Sequence, residues 1–285
     1  MKIAVLADIH ANYIALKTAT EHLSHWEPDR VIIAGDTVNR GPRPAECLDL
    51  IRDKIDSDGW LALRGNHEDY VIIHASPDAP HQGPALEVHR ASYWTFQQLG
   101  SDVEQLSDMP FQQTFPGPDR RTVQFLHGSL LGARDGIYPE TSDYSLRKKI
   151  GLDQLSQTET SLALFGVGHT HRPVIRWLNG VLVVNAGSVG LPFDHDTRLA
   201  YAQLTWSNGN WRAEIIRLAY DLDRAERDFH DTGYLENAGP LTQLVKIELL
   251  TASSHLYNWA IEFQESALDG KISVHESVRK YLSRL

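Results

Sequence analysis

The chain has one cysteine, Cys47, among 285 residues. A single thiol cannot close an intrachain disulfide, so the fold rests on its core, and the composition fits a reducing compartment. Long apolar runs are missing too. No stretch reaches the roughly 18 apolar residues that a membrane-spanning helix needs, so such a helix is excluded. Met1 to Ala7 is apolar but runs straight into Asp8, too short for a secretion signal and its cleavage site. Basic charge is scarce: 27 Lys and Arg stand against 37 Asp and Glu, for a formal charge of -10. Such a surface repels polynucleotides and anionic lipid, so neither is the expected partner, although a local basic pocket can still hold one phosphate. The expectation is a soluble cytoplasmic protein without internal repeats or long linkers. Its oligomeric state is left open.

What is present is a 42% hydrophobic fraction, ample for a large core. Ile3–Ala7, Arg30–Ala34 and Leu61–Leu63 are short apolar runs rich in strand formers. Between them, Asn12–Trp26 shows Leu16, Ala19, Leu23 and Trp26 at helical spacing, and Pro44 opens a second helix with Cys47, Leu48 and Ile51 on one face. Strand alternating with helix predicts a layered α/β domain with parallel strands. Residues 76–120 change character: prolines and glycines mark a loop, Ala85–Leu99 reads as a helix, and Pro116-Gly117-Pro118 breaks the chain again. This reads as an insertion. Val123–Leu126 and Leu162–Val167 are further strands. Then Asn179-Gly180 and the stretch Ser207–Asn210 each sit between strand-like runs, which predicts two hairpins. From Asp221 onward the chain reads as helical: Leu222–Phe229, Leu241–Phe263 and Val274–Leu285.

Five polar motifs follow these runs in order: Asp8-Ile9-His10, Gly35-Asp36 with Asn39-Arg40-Gly41, Gly65-Asn66-His67-Glu68, His127-Gly128, and Gly168-His169-Thr170-His171. In a parallel sheet, ligands gather at the carboxyl ends of strands. Asp8 and His10, two apart, point the same way if extended geometry persists; alone they read equally well as a loop that caps a helix. Asp36 has two oxygens and can bridge two ions, though Gly-Asp is more often a turn. The Asn66 amide oxygen can join a metal that already has anionic partners, and the adjacent His67 then faces substrate. Glu68 is either a supporting partner or a first-turn acid that favours the helix dipole. His-x-His at 169 and 171 is a better signal than lone His127, because both rings can face one way. Arg40 suits phosphate through its fork of donors. Two metals with a water between them are a device for hydrolysing phosphate esters.

The ordered series strongly resembles the calcineurin-like metallophosphoesterases over residues 1–217. Asn185 to Gly190, with Pro192, and Tyr220-Asp221 resemble the bacterial and archaeal phosphodiesterase-type branch. The resemblance implies a four-layer α/β/β/α sandwich with mixed sheets, a helical insertion near 76–120, and helices 218–285 packing on the core. It also implies two metal ions, drawn from Mn, Fe, Zn or Ni. Asp8, His10, Asp36 and His171 match the ligands of the first, and Asp36, Asn66, His127 and His169 those of the second. His67 matches a general acid and Arg40 a phosphate contact. Asn39 stands where protein phosphatases carry Asp, which removes the charge from a His-Asp dyad. The expected activity is a phosphodiesterase or phosphatase on a small phosphate ester or dinucleotide. A protein Ser/Thr phosphatase is the second reading and a non-catalytic scaffold the third. His195 and Asp194 are expected at the pocket mouth, outside the metal shell.

Overall fold

The computed structural model describes residues 1–153 and 161–285. Ten strands follow in chain order: β1 (Lys2–Leu6), β2 (Arg30–Ile33), β3 (Leu61–Ala62), β4 (Gln112–Pro116), β5 (Thr122–Leu126), β6 (Leu162–Val167), β7 (Val174–Leu178), β8 (Val181–Asn185), β9 (Leu199–Ser207) and β10 (Asn210–Leu218). They form two mixed sheets of five, ordered β10-β9-β1-β2-β3 and β4-β5-β6-β8-β7. β1, β2 and β3 run parallel to one another, as do β5, β6 and β8.

The alternation of side chains along each strand builds the layers. Ile3, Val5 and Ala7 face inward and meet Val123, Phe125, Leu182 and Val184 of the second sheet in one buried cluster. Ala4 and Leu6 face outward, onto Leu16, Ala19, Cys47 and Ile51 of helices α1 (Tyr13–Trp26) and α2 (Pro44–Asp58). Behind the second sheet, Val181 and Val183 pack on Leu146 of α7 (Asp143–Lys149). The order is helix, sheet, sheet, helix, as the resemblance implied. Local signals set the boundaries. Asn12 caps α1 through its side chain, Pro44 opens α2, and Gly59 ends it at φ 67°. Asn179-Gly180 and Asn208-Gly209 take positive φ at both positions, the geometry of two-residue hairpins. The second turn is thus tighter than the four residues expected.

Three stretches differ from expectation. Residues 66–108 fold as α3 (Asn66–Ile72), α4 (Gly83–Val88), α5 (Arg90–Leu99) and α6 (Val103–Asp108), so the helix expected over 85–99 is split at His89. The stretch expected as an insertion also ends in β4, an edge strand of the second sheet. α7, capped by the Ser142 hydroxyl, lies in a segment with no sequence expectation. After α8 (Leu222–Asp231) and α9 (Tyr234–Asn237), the long helix expected over 241–263 breaks at Ala252, which turns left-handed at φ 49°. That leaves α10 (Thr242–Thr251) and α11 (His255–Trp259); α11 continues through a π-helical turn, Ala260–Gln264, into α12 (Glu265–Leu268). α13 (Val274–Leu282) ends the chain.

The C-terminal helices grip the loop that follows β2. Arg43 pairs with buried Asp228 of α8 at 2.7 Å, and Arg40 pairs with fully buried Glu248 of α10 at 2.7 Å. Leu191 joins Phe229, Tyr234 and Trp94 in an apolar cluster that ties α5 and the extension to the core. Among the described residues, no helix is long and apolar enough to cross a membrane.

Candidate metal centre

The loops after β1, β2, β3, β5 and β6 converge at the carboxyl ends of the parallel strands. Asp8, His10, Asp36, His169 and His171 all take positive φ, between 48° and 70°. Each such residue costs about 1–3 kcal/mol and persists only where its surroundings enforce it. Asp8 and His10 therefore converge through left-handed turns rather than through the extended geometry expected. Close backbone packing helps to enforce them. A Cβ on Gly168 would lie 2.6 Å from Asp8 Oδ2, and one on Gly65 would lie 2.2 Å from Asp36 Oδ1.

Hydrogen bonds fix the loops further. The Glu68 carboxylate accepts four backbone N–H groups, from Asp36, Thr37, Val38 and Gly65. Burial and the Asp36 charge push its carboxyl up, and the amides work against that. The segment 185–190 has a comparable role. Asn185 Nδ2 donates to the Gly168 carbonyl at 2.7 Å, and the Ser188 hydroxyl donates to the Asp8 carbonyl at 2.7 Å.

The donor atoms then meet in three groups, each within 4.8 Å, that could hold an ion: Asp8, His10 and His171; Asp36, His127 and His169; and His10, Asp36 and His67. The imidazole protons decide what such a cluster wants. Nδ1–H of His10 donates to the Asn39 carbonyl, that of His171 to Leu191, and that of His127 to Ala34. His169 donates instead from Nε2 to the Arg134 carbonyl. Burial pushes His10 and His169 down to about 4 and His171 well below its ordinary value, so these rings are neutral. Nε2 of His10 and Nε2 of His171 nevertheless face each other at 3.0 Å. With both protons engaged elsewhere, two lone pairs meet there, and only a cation between them makes that contact favourable. Asp8 Oδ1, buried without a partner, lies 3.4 Å from His171 Nε2.

The second group has the same character. Asp36 Oδ2 lies 3.2 Å from His127 Nε2 and 3.8 Å from His10 Nε2, so it stands between the two groups. Asn66 Oδ1 is 3.0 Å from His127 Nε2. Burial works to push His127 down, but Asp36, Asp8 and the Ala34 carbonyl together raise the ring to about 10. Burial likewise pushes Asp36 up, and His127, His67 and His10 together hold the carboxyl low. A proton on His127 thus supplies positive charge at the point where a metal would. Nitrogen, carboxylate and amide donors together suit Mn, Fe, Zn or Ni.

Donors aimed inward in this way form a candidate metal centre. A family model described as the calcineurin-like phosphoesterase superfamily domain matches residues 1–209, and the chain belongs to that family. It is 26% identical over 241 residues to the uncharacterized protein MJ0912 of Methanocaldococcus jannaschii, covering 78% of this chain and 89% of that one. Its fold is that of a metallophosphoesterase from Sphaerobacter thermophilus, with a TM-score of 0.66 and 24% identity over 88% of this chain and all 100% of the other. The hypothetical protein PH1004 from Pyrococcus horikoshii OT3 shares it as well, with a TM-score of 0.69 and 19% identity over 85% and 97% of the two chains.

Of the remaining expected residues, Arg40, His67, Asp194 and His195 line a cavity of about 910 Å³ over the metal groups, and Asn39 bonds to His67. Asn39 Oδ1 accepts the Arg40 N–H, which turns the Asn39 amide N–H toward His67 Nδ1 at 3.0 Å. His67 therefore keeps its proton on Nε2 and is neutral, its pKa pushed down chiefly by burial. Arg40 also lines the cavity, but its Nη2 is bound by both Glu248 oxygens and its guanidinium lies over the Phe193 ring. Asp194 and His195 line the cavity outside the three metal-sized groups; Asp194 pairs with Arg217, and His195 Nδ1 meets the Ser253 hydroxyl at 3.0 Å.

Sequence reasoning missed Arg134. It reaches the same cavity, stacks over the Tyr70 ring at 4.9 Å, and has no ion-pair partner among the described residues. Its segment, Gly132-Ala133-Arg134-Asp135-Gly136, lies in an irregular connection between β5 and α7. A lone arginine between two glycines was the only signal there.

Proposed function

We propose that this protein hydrolyses phosphate esters, most favourably small or nucleotide-type ones, with two metal ions. Asp8, His10 and His171 would hold one ion and Asn66, His127 and His169 the other, with Asp36 shared. The observation that carries the reading is the 3.0 Å approach of two unprotonated nitrogens, on His10 and His171. When bound, the ions supply a water ionised at neutral pH and positive charge for the phosphoryl oxygens.

The chain's own residues complete the site. The Arg134 guanidinium, without an ion pair among the described residues, can fork onto a phosphate group. The His67 Nε2–H, fixed by Asn39, is the donor placed for the leaving oxygen. It acts as a neutral hydrogen-bond donor, because Asn39 gives His67 Nδ1 a proton donor and no negative charge. The Asn39–His67 contact is partly buried, which strengthens it. Ser254 and Tyr257 of the C-terminal extension help to wall the cavity, and a walled cavity suits a compact ester better than a phosphoprotein.

The test is metal analysis of the purified protein, followed by a panel on the same preparation: a bis-aryl phosphodiester, an aryl monoester, a diadenosine polyphosphate and a phosphopeptide. The expected result is two bound ions and turnover of the small esters. Turnover of the phosphopeptide alone, or no metal-dependent turnover, overturns the reading.

A further inference from the structure

Beside the metal cavity lies a second pocket of about 270 Å³, which shares Arg40, His67, Tyr70 and Tyr257 with it. None of its other walls comes from the sheets. Val88, His89 and Ala91 come from α4, α5 and the break between them. Val245, Leu256 and Trp259 come from α10 and α11. Ala260 and Gln264 bracket the π-helical turn, a widened geometry that occurs mostly at functional sites. The family's sheet core and metal ligands thus say nothing about this pocket. It belongs to the parts of the chain laid over them.

Its chemistry is mostly apolar with a few polar groups, the usual make-up of a small-molecule site. Tyr70 and Trp259 present flat rings. Two polar side chains, the His89 imidazole and the Gln264 amide, make no hydrogen bond within the described residues although they line it. A saturated chain would desolvate both without a partner, which is unfavourable. A ring with polar edge atoms would satisfy them. An apolar cavity of about 150 Å³ holds one benzene ring, so this pocket has room for two fused rings.

We infer that this pocket binds a flat heteroaromatic group, of one or two rings, carried on the leaving alcohol of the substrate. Its position relative to the reacting phosphate rests on the phosphate-ester reading: the pocket opens beside His67, the donor assigned to the leaving oxygen. The pocket makes the insertion and the C-terminal helices the specificity-determining part of the chain.

Three monoesters of primary alcohols test this: ethyl, octyl and quinolin-2-ylmethyl phosphate, assayed with the metal-loaded full chain. A single methylene in a fitted apolar pocket is worth roughly tenfold or more in kcat/KM. The quinolinylmethyl ester should therefore exceed both others by at least about tenfold. Ala260→Phe and Val88→Phe, which fill the pocket from the C-terminal helices and from the insertion, should each erase that preference and leave ethyl phosphate turnover unchanged. Calorimetry with quinolin-2-ylmethanol on the metal-free chain should show binding to the wild type and none to either variant. Octyl phosphate matching the quinolinylmethyl ester, or a preference that survives in both filled variants, overturns the inference. Ester turnover without preference, and without binding of the alcohol, overturns it as well. If no ester turns over while the alcohol still binds only the wild type, the pocket stands and the phosphate-ester reading falls.

Discussion

Arg40 closes on Glu248, its Nη2 donating to the two carboxylate oxygens at 2.8 and 2.7 Å. Glu248 is fully buried, and it also accepts the Leu256 N–H that opens the turn into α11. Removing one member of a buried ion pair leaves a charge without compensation and costs about 3–5 kcal/mol. Arg40→Ala should therefore lower the denaturant midpoint by that free energy. The double variant Arg40→Met with Glu248→Gln removes both charges, keeps an acceptor for Leu256, and should recover most of the loss. Full stability in Arg40→Ala would show that the pair is only incidental.

Metal binding should stabilise the fold. A ligand at one hundred times its Kd adds about 2.7 kcal/mol, so melts with and without Mn²⁺ or Zn²⁺ should differ by several degrees, and a chelator should reverse the gain. Asp36→Asn keeps the shape of the side chain but removes the shared charge. That variant should lose both ions by elemental analysis, whereas His171→Ala should lose one. Unchanged occupancy in Asp36→Asn would remove the bridging role.

His67→Ala should leave the ions in place, since its Nδ1 is engaged by Asn39 rather than by the metal groups. It should slow an alkyl phosphate ester by about 10²–10³-fold, what removing one hydrogen-bond donor to developing negative charge usually costs. p-Nitrophenolate departs without help, so the aryl ester should suffer much less. Equal losses on both would assign His67 to charge stabilisation, and a lost ion would place it in the coordination shell.

Arg134→Ala should raise KM by about tenfold or more, because a hydrogen bond to a charged group is worth about 1.5–3 kcal/mol. The melting temperature should hardly move, as no ion pair is lost. Arg134→Lys keeps the charge without the fork and should recover only part of the affinity. A change in kcat with constant KM would contradict a binding role.

Gly168→Ala tests the packing under the metal groups. The added methyl would lie 2.5 Å from the Ala7 Cβ and 2.6 Å from Asp8 Oδ2, with rigid backbone behind both. Overpacking of this kind costs about 1–3 kcal/mol. Here it should also displace Asp8 and lower occupancy of its ion before the protein unfolds.

The sheets and the metal cluster were legible because their signals are local and ordered. Apolar runs end in Asp, His or Asn, and each such ending is a strand's carboxyl end. The convergence of Asp8 and His10 was legible, but its mechanism was not: the left-handed turns depend on Gly168 and on Ser188, far away in sequence. Ala252 illustrates a second limit. Alanine is the best helix former, so the residue itself does not announce a helix end; Ala252 is buried and its carbonyl accepts the distant His195 N–H. β4 reads Gln-Gln-Thr-Phe-Pro, a weak pattern that becomes a strand only by pairing with β5. Arg40 fits phosphate by its chemistry, but the position of Glu248 relative to it is a tertiary fact. Arg134 was invisible for the opposite reason, since freedom from partners leaves no trace in a sequence.

The donor set straddles the seam between the sheets. Asp8, His10, Asp36 and Asn66 hang from the first sheet, and His127, His169 and His171 from the second. Neither sheet alone offers the set for either ion, so a partly folded chain with the sheets undocked has only fragments of each. Ions assembled this way cannot template early folding. On the two-ion reading, uptake would follow the docking of one sheet on the other, and its rate during refolding would report that step.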